Sequence, residues 1–399
     1  MSLLARLTTA ALLAMAPALA GTAVADAPEP VPLPAPLHLS RHAVPGEYIV
    51  VLDEDVDATG LAERLDLRPT FVYGAAVNGF AVALTPAELD RVRTSPGVKS
   101  VEADTEVFAP PAPVTAGPAP TGGRATAPTW GLDRIDQRTL PLDGEFTTRG
   151  DGAGVTAYIL DTGLDYGHAE FEGRAVPGFD AVGDGRNGLD CQGHGTHVAG
   201  TVGGRTHGIA PAAGLVSVRV LDCEGRGTYS GVVAGLDWVA RNAVRPAVVN
   251  VSLGGERSEA VNRAATSVVE AGVLPVVAAG NSAADACETS PASAEGVVAV
   301  GASNARDEVS GFSNQGACVT LHAPGEQIDS ARLGGGSVAL SGTSMAAPHV
   351  TGVAALHLAQ DPAATPEDLA GRFRGSSTQG VLTGVPAGTP DRLLFTDGL

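Results

Sequence analysis

Lysine, aromatic residues and runs of positive charge are scarce in this sequence of 399 residues. Lys99 is the single lysine, and the formal net charge is −19. An acidic chain without a basic run is poorly suited to nucleic acids or anionic membranes, so we expect neither as a partner. Charged residues make up 17% and hydrophobic residues 44%, which excludes wholesale disorder. The 52 glycines follow no three-residue period, which excludes a collagen-like chain.

Cysteine is also rare, with four in the chain. Four are too few for a disulfide-scaffolded fold, but the number is even, and it allows about three pairing patterns. The length favours two or three domains, at roughly 150 residues per domain.

The first 25 residues have the plan of a secretory signal peptide. Arg6 precedes an apolar stretch that runs to about Ala20, and Ala23-Val24-Ala25 is a small-residue cleavage site. A membrane anchor is the alternative, but two threonines and Pro17 interrupt the stretch, which is shorter than the ~20 residues of a span. We therefore expect residues 1–25 to be removed and the product to be secreted to an extracellular setting where disulfides persist.

Two stretches rich in proline and alanine divide the rest of the chain. Residues 26–45 are predicted to be an extended spacer, and residues 109–129 an exposed linker. Between them, residues 46–108 show strand and helix patterns in the order β-α-β-β-α-β, which predicts a small α+β, ferredoxin-like domain. Thr85 is predicted to cap its second helix, because a proline and an acid follow in the first turn.

Residues 130–399 alternate apolar runs with helical patterns. The runs are almost continuous in valine, isoleucine and leucine, which is typical of parallel strands buried on both faces. They are residues 155–160, 215–220, 248–252 and 274–278. The fold class is therefore α/β, and functional side chains are expected at the carboxyl ends of the strands.

Four polar residues in short, glycine-rich motifs form a candidate hydrolytic site. Asp161 and Asn281 each follow a predicted strand. His194 lies in Gly-His-Gly-Thr-His, and Ser344 lies in Gly-Thr-Ser-Met-Ala. A serine hydroxyl needs a histidine base, the histidine needs a carboxylate to orient it, and an amide can donate to the oxyanion that forms. The order acid, histidine, serine is one of the few that such triads use.

Each motif alone has a simpler explanation. Asp-Thr-Gly can be a turn, and Gly-Thr-Ser can cap a helix. His194 and His197 have a spacing that zinc ligands use, but no glutamate has the metalloprotease spacing. The Gly-x-Ser-x-Gly elbow of α/β-hydrolases is not matched, because Ala346 occupies its last position. The joint occurrence of the four residues favours the triad.

At these motifs the chain resembles the subtilisin-like serine proteases (peptidase family S8), in particular the proteinase K and aqualysin-like branch. The resemblance covers about residues 130–395. It implies a three-layer subtilisin-like fold with a buried, mainly parallel sheet. It also implies that Asp161 orients His194, that His194 is the general base and acid, and that Ser344 is the nucleophile. Asn281 and the Ser344 backbone N–H would form the oxyanion hole.

The resemblance further implies an extended substrate cleft. One edge of the cleft matches Gly225, Gly227 and Tyr229, and the opposite edge matches Ser252, Leu253 and Gly254. The pocket for the residue before the cut bond would be walled by residues 252–254 and by Ala278, Ala279 and Gly280. A peptide would add a strand between the edges. Each glycine run taken alone is more simply a turn. The wall segments contain no acid, so we expect a broad preference for apolar or aromatic residues.

Residues 46–108 resemble the I9-type inhibitor propeptide of the same family. The resemblance implies a domain that assists folding and then inhibits the enzyme, with its C-terminal tail in the cleft. The linker would be cut autocatalytically, with a mature N-terminus near 120–130. The expected partners are protein and peptide substrates and the propeptide itself, with no membrane contact after signal removal and a monomeric state.

The resemblance also favours two disulfides, Cys191–Cys223 and Cys287–Cys318, and structural calcium. The calcium ligands would be Asp133, Asp136, Gln137, Asp143 and Glu145, for which a solvated acidic loop is the alternative. A second family site would use the carbonyls of Glu295 and Val297. Its carboxylate position holds Thr320, so we expect that site to be weak or lost.

The leading hypothesis is a secreted serine endopeptidase that forms an acyl-enzyme and is made as an autoprocessed zymogen. A selective precursor-processing protease is one alternative, although it would need acids in the cleft that the sequence does not place there. A catalytically silent subtilase fold used for binding is another, and the intact candidate residues count against it. An esterase-like hydrolase on another fold lacks its elbow motif.

Overall fold

The computed structural model describes residues 33–109 and 129–399. The predicted signal peptide and residues 110–128 of the predicted linker lie outside the described residues. Residues 34–399 form one compact unit. Below, residues 33–109 are called the N-terminal domain and residues 129–399 the C-terminal domain.

The N-terminal domain is a sheet with two helices. Its elements are β1 (Leu37–His38), β2 (Ala43–Leu52), α1 (Ala58–Arg64), β3 (Phe71–Tyr73), β4 (Gly79–Ala83), α2 (Pro86–Arg93) and β5 (Val98–Phe108). The strand order is β1-β5-β2-β4-β3, and β2, β3, β4 and β5 pair antiparallel. The predicted β-α-β-β-α-β succession is confirmed. β1 is an addition, because the described part of the predicted spacer pairs parallel with the edge of β5.

Helix α2 begins as the sequence predicts. The Thr85 side chain accepts a hydrogen bond from the Glu88 backbone N–H, and the Glu88 carboxylate accepts one from the Thr85 N–H. Pro86 occupies the first turn, where its missing N–H costs nothing. This reciprocal capping satisfies donors that the helix itself leaves free.

The C-terminal domain is built on a nine-stranded sheet of order β18-β19-β15-β14-β12-β10-β6-β8-β7. Its strands are β6 (Thr156–Asp161), β7 (Ala175–Asp180), β8 (Gly214–Arg219), β10 (Ala247–Val251), β12 (Leu274–Ala278), β14 (Val298–Ser303), β15 (Leu321–Pro324), β18 (Thr378–Gln379) and β19 (Arg392–Leu393). Seven of these, β6 to β15 in this sheet, pair parallel with their neighbours. The four predicted strands are among them.

Helices cover both faces of this sheet. They are α3 (Trp130–Ile135), α4 (His194–Gly203), α5 (Tyr229–Asn242), α6 (Glu259–Glu270), α7 (Thr343–Gln360) and α8 (Pro366–Ser376). Ala157 and Ile159 of β6 belong to the core under α4 and α7, whereas Tyr158 and Leu160 belong to the core under α5 and α6. The alternation shows a strand buried on both faces. The α/β class and the three-layer arrangement are confirmed.

Short elements complete the C-terminal domain. The strands β9 (Arg226–Thr228), β11 (Gly255–Glu256), β13 (Thr289–Ser290), β16 (Ile328–Ala331) and β17 (Ser337–Leu340) lie outside the large sheet, with a 3-10 helix at Ala286–Glu288. Two disulfides join Cys191 to Cys223 and Cys287 to Cys318, the pairing that the resemblance favoured. Within residues 33–109 and 129–399, no helix combines the length and the apolar content that a membrane span needs.

Candidate active site

Asp161 and His194 meet at the carboxyl end of the sheet. Asp161 is the last residue of β6, and His194 is the first residue of α4. The His194 Nδ1 lies 2.8 and 2.9 Å from the two Asp161 carboxylate oxygens, and both side chains are buried. Burial lowers the pKa of His194, but the charge of Asp161 and its hydrogen bond outweigh burial and raise the pKa above its usual range.

Ser344 lies in the first turn of α7, the helix that packs against α4. Its Oγ donates a hydrogen bond to the Ser252 carbonyl at 3.0 Å. The His194 Nε2 is buried and has no hydrogen-bond partner among the described residues. The structure therefore brings aspartate and histidine into contact, but it does not form the histidine–serine hydrogen bond. Such bonds are often absent until substrate is bound.

The amide of Asn281 is oriented by α7. Its Oδ1 accepts hydrogen bonds from the Thr343 N–H at 2.8 Å and from the Thr343 hydroxyl at 2.9 Å. With the oxygen held this way, the Nδ2 group is the free end of the amide. A Cβ placed on Gly342 would lie 3.4 Å from the Asn281 Nδ2 and 3.6 Å from the Ser344 backbone nitrogen. Two donors therefore flank one small space beside the serine.

The tail of β5 occupies the groove that the sequence assigned to substrate. Glu106, Val107 and Phe108 pair antiparallel with β9, and Phe108 also bridges to Gly254 on the opposite edge. The Ala109 N–H donates to the Gly225 carbonyl at 2.8 Å. Both predicted edges thus hold one extended strand between them.

Alternate side chains of this tail face the C-terminal domain. Val107 is 1% exposed and Ala109 is 5% exposed, whereas Phe108 between them is 42% exposed. This is the period of two that a β-strand imposes. Tyr229, which was predicted with the cleft, is buried behind it, and its hydroxyl donates to the Glu256 carbonyl.

A cavity of about 600 Å³ adjoins Ser344. Its lining includes five of the predicted wall residues, namely Leu253, Gly254, Ala278, Ala279 and Gly280, together with Asn281. Ser252 is fully buried and supports Ser344 from behind, because its Oγ donates to the Ser344 carbonyl at 2.9 Å. The lining also includes Asp285 and Glu288, which sequence reasoning missed. Both residues follow Asn281 closely in the sequence, and that proximity was the only indication that they line the cavity.

Carboxylates of the N-terminal domain hold two helices of the C-terminal domain. The Asp104 Oδ1 accepts from the backbone N–H of Ser230, in the first turn of α5, at 2.9 Å. Glu102 accepts from the backbone N–H of Ala260, in the first turn of α6, at 3.2 Å. In the opposite direction, Asp237 of α5 accepts from three consecutive backbone N–H groups, residues 74–76. No sequence pattern indicated these contacts, because they join residues more than 120 positions apart.

The acidic set assigned to calcium forms a hydrogen-bonded loop. Asp133 accepts from the backbone N–H groups of Asp143 and Gly144, and the Gln137 Oε1 also accepts from Asp143. Asp136 accepts from the Thr147 N–H through Oδ2, but its buried Oδ1 has no hydrogen-bond partner in the part of the chain that the structure describes. Burial, partly offset by the Thr147 hydrogen bond, raises the pKa of Asp136.

One oxygen of this loop, the Asp136 Oδ1, is therefore buried and free to serve as a ligand to a cation. The Glu145 backbone N–H donates to Asp143, so this residue closes the same loop. Among the described residues, no group of three or more acidic, histidine or cysteine side chains is arranged to hold a metal ion. At the second predicted site, the Thr320 hydroxyl accepts from the Ala299 N–H.

Comparisons with known proteins agree with this geometry. The model of the subtilase family matches residues 152–388, and the model of the peptidase inhibitor I9 family matches residues 65–109. The chain belongs to the subtilase family. Its N-terminal domain is an I9 propeptide domain, and its C-terminal domain has the subtilase fold.

The relatives of this subtilase include proteins of bacteria. It is 45% identical to the extracellular serine proteinase of Thermus sp. (strain Rt41A), over 89% of this chain and 90% of the relative. It is 45% identical to alkaline serine exoprotease A of Vibrio alginolyticus, over 82% of this chain and 60% of that protein. The crystal structure of a cold adapted subtilisin-like serine proteinase matches with a TM-score of 0.67 and 50% identity, over 68% of this chain and 99% of that one.

Proposed function

We propose that this subtilase is a secreted serine endopeptidase, made as a zymogen that its own propeptide domain inhibits. The observation that carries the proposal is the β5 tail. It lies as an extended strand between β9 and Gly254, and Phe108 of this tail lines the same cavity as Ser344. A groove that binds a peptide strand through its backbone suits a protein substrate. The extracellular location rests on the relatives and on the predicted signal peptide.

The proposed chemistry is acyl transfer. The Ser344 hydroxyl turns from the Ser252 carbonyl toward the His194 Nε2, which takes its proton as the oxygen attacks the peptide carbonyl carbon. The developing oxyanion accepts hydrogen bonds from the Asn281 Nδ2 and the Ser344 N–H. The imidazolium, held by Asp161, gives its proton to the leaving amine. Water then repeats the sequence on the acyl-enzyme and releases the acid.

We propose that the bond cut in maturation is not the one next to the tail. Because Phe108 pairs with Gly254, a substrate in this register places the residue two positions later opposite Ser252. That residue must offer an N–H to the Ser252 carbonyl. In this sequence Pro110 and Pro111 follow Ala109, and proline has no N–H. The tail therefore acts as an inhibitor, and the cut falls later in the linker, near the expected residues 120–130.

The tail also supports a proposal on specificity. The buried Val107 and Ala109 mark two subsites that favour an aliphatic side chain and a small one, while the exposed position of Phe108 accepts any residue. For the residue before the cut bond, broad apolar or aromatic preference stays the first expectation. Asp285 and Glu288 in the cavity favour a second candidate, a processing protease selective for basic residues. Hydrolysis of a peptide library that varies only this residue distinguishes the two.

We further propose that calcium stabilises the loop around Asp136. Asp136 would be a ligand through the unpartnered Oδ1, with Asp133, Gln137, Asp143 and Glu145 shaping the loop around it. The role is structural, since the hydrogen bonds named above for these five residues stay within residues 133–147. Thermal unfolding with calcium and with a chelator tests it, and an unchanged midpoint would exclude it.

Labelling with an organophosphorus reagent tests the catalytic proposal. The reagent should form one covalent adduct, on Ser344, and stop peptide hydrolysis in step with labelling. Peptide mapping locates the adduct. Hydrolysis that continues after Ser344 is fully labelled would contradict the proposal.

A further inference from the structure

A second buried carboxylate lies behind the Asp161–His194 pair. Asp190 is 4% exposed and forms no ion pair with any described residue. Its charge is held by five hydrogen-bond donors instead. They are the Thr162 hydroxyl at 3.0 Å, the Gln192 and Gly193 N–H groups at 2.9 Å each, the Thr196 N–H at 3.0 Å and the Thr196 hydroxyl at 2.6 Å. A buried charge that is satisfied this fully is a rigid anchor.

These five donors come from the two segments that carry the pair. Thr162 directly follows Asp161, and its N–H donates to the Asp161 Oδ1 at 2.7 Å. The Thr162 hydroxyl also accepts from the Gly195 N–H at 2.9 Å, next to His194. The remaining donors lie in the loop before α4 and in its first turn. Asp190 thus links the end of β6 to the start of α4.

The Asp190 charge also lies close enough to act on the imidazole. It raises the pKa of His194, in the same direction as Asp161. It sits at the N-terminus of α4, where a negative charge is favourable. The site therefore holds two carboxylates near one histidine, and only Asp161 touches the ring.

We infer that Asp190 is a positioning residue for the proposed peptidase reaction. It fixes the distance between Asp161 and His194, and its charge favours the imidazolium that forms when Ser344 attacks. The inference rests on the proposed function, but it assigns to Asp190 no contact with substrate.

The other ionisable groups named here around α4 do not supply the negative charge that Asp190 places near His194. His197 lies one turn later in α4, and burial lowers its pKa to about 3, so it is neutral. From α7, His349 is buried with its pKa lowered to about 4. From β8, Arg219 faces the Thr162 carbonyl but is paired with Asp180 and Asp184. From β16, Asp329 is exposed and acts on His207 instead.

The pH dependence of kcat/KM for the D190N variant tests the inference. Asparagine keeps the shape but removes the charge and one acceptor oxygen. We expect kcat to fall at least about tenfold with KM little changed, because misplacement of a catalytic group lowers the rate of the chemical step. The acid limb of the profile should move to lower pH, since His194 loses a charge that favours its protonated form.

Thr196→Val is the control that keeps the charge. It removes the hydroxyl's hydrogen bond to Asp190 and also the acceptor of the Asp165 backbone N–H. Its acid limb should stay at the wild-type pH. If D190N does not fold, Thr162→Val and Thr162→Ser take its place. Valine breaks the link from Asp190 to the Gly195 N–H and should lower kcat, whereas serine keeps the link and should restore it.

Two results would overturn the inference. One is an acid limb of D190N that coincides with those of wild type and Thr196→Val. The other is a Thr162→Val variant with wild-type kcat. Ser344→Ala in the same assay tests the proposed function separately. Activity that survives in Ser344→Ala would refute the peptidase mechanism, whereas either result above, with Ser344→Ala inactive, would refute only the role of Asp190.

Discussion

At the scale of single residues, the account depends on where Asn281 points. Thr343 holds its Oδ1 with two hydrogen bonds, so the Nδ2 is left to donate beside Ser344. A donor aimed at the oxyanion strengthens its bond in the transition state and adds little to substrate binding. The direction of one amide therefore decides how much of the rate enhancement it can supply.

We predict that Asn281→Ala lowers kcat by about 10²–10³-fold and leaves KM almost unchanged. The magnitude is the one known for removal of such a donor in a subtilisin. Steady-state kinetics on a peptide substrate measures both constants. Asn281→Asp is the matched control, since it keeps the shape but replaces the donor with an acceptor. A rise in KM at constant kcat would show that Asn281 binds the ground state.

The pH profile is a second prediction at this scale. The reaction needs a neutral His194, and Asp161 and Asp190 together raise the pKa of that histidine against the effect of burial. Activity should therefore be lost as the pH falls through a midpoint above ~6.5, the ordinary value for histidine. Measurement of kcat/KM from pH 5 to 9 locates the midpoint. A midpoint well below the ordinary value would contradict the dominance of the two carboxylates.

At the scale of elements, two helices of the C-terminal domain begin at carboxylates of the N-terminal domain. Glu102 and Asp104 lie two residues apart on β5, so they point to the same face of that strand. That face meets the first turns of α5 and α6. The tail that continues from β5 then enters the cleft, so the helix contacts set its register.

We predict that Asp104→Asn weakens inhibition by a propeptide added in trans to the mature enzyme. A buried hydrogen bond to a charged group contributes about 1.5–3 kcal/mol, which corresponds to roughly a tenfold to hundredfold rise in the inhibition constant. Glu106→Gln is the matched control, because it changes an exposed acid on the same strand. Equal inhibition constants for the two variants would mean that the helix contact is not needed.

The disulfide Cys191–Cys223 lies between the loop before α4 and the loop after β8. It closes a loop with a sequence separation of 32. In the chain-entropy model, a bond of this span stabilises by about 3–4 kcal/mol. We predict that Cys191→Ser with Cys223→Ser lowers the thermal midpoint by several degrees and reduces activity near that midpoint. Calorimetry of both forms measures the shift, and an unchanged midpoint would contradict the estimate.

Much of the large sheet and part of the candidate active site could be predicted from the sequence. The strands at residues 155–160 and 274–278 have a continuous apolar pattern. Asp161 comes at the end of the first strand and Asn281 three residues after the second, and local pattern was sufficient because parallel strands present their carboxyl ends at one edge. The contacts of Asp104 and the hydrogen bond from Thr162 to Asp190 could not be predicted in the same way. Each joins residues that only the tertiary fold brings together.

At the scale of the whole molecule, the two domains form one inhibited unit. The I9 domain covers α5 and α6, and its tail fills the groove beside Ser344. The His194 Nε2 has no hydrogen-bond partner within residues 33–109 and 129–399. In this state the proposed nucleophile donates to Ser252 rather than to its base. The proposed mechanism therefore requires, for activation, both a cut in the linker and departure of the domain.

On the proposed mechanism, Ser344 carries out the cut that separates the two domains. The most direct measurement is intact-mass spectrometry of the purified wild-type chain beside Ser344→Ala, both expressed in a host that lacks similar proteases. We expect wild type to lose its first ~120 residues through a cut beyond Pro111, and we expect the Ser344→Ala variant to keep its propeptide. Identical maturation of both chains would contradict it.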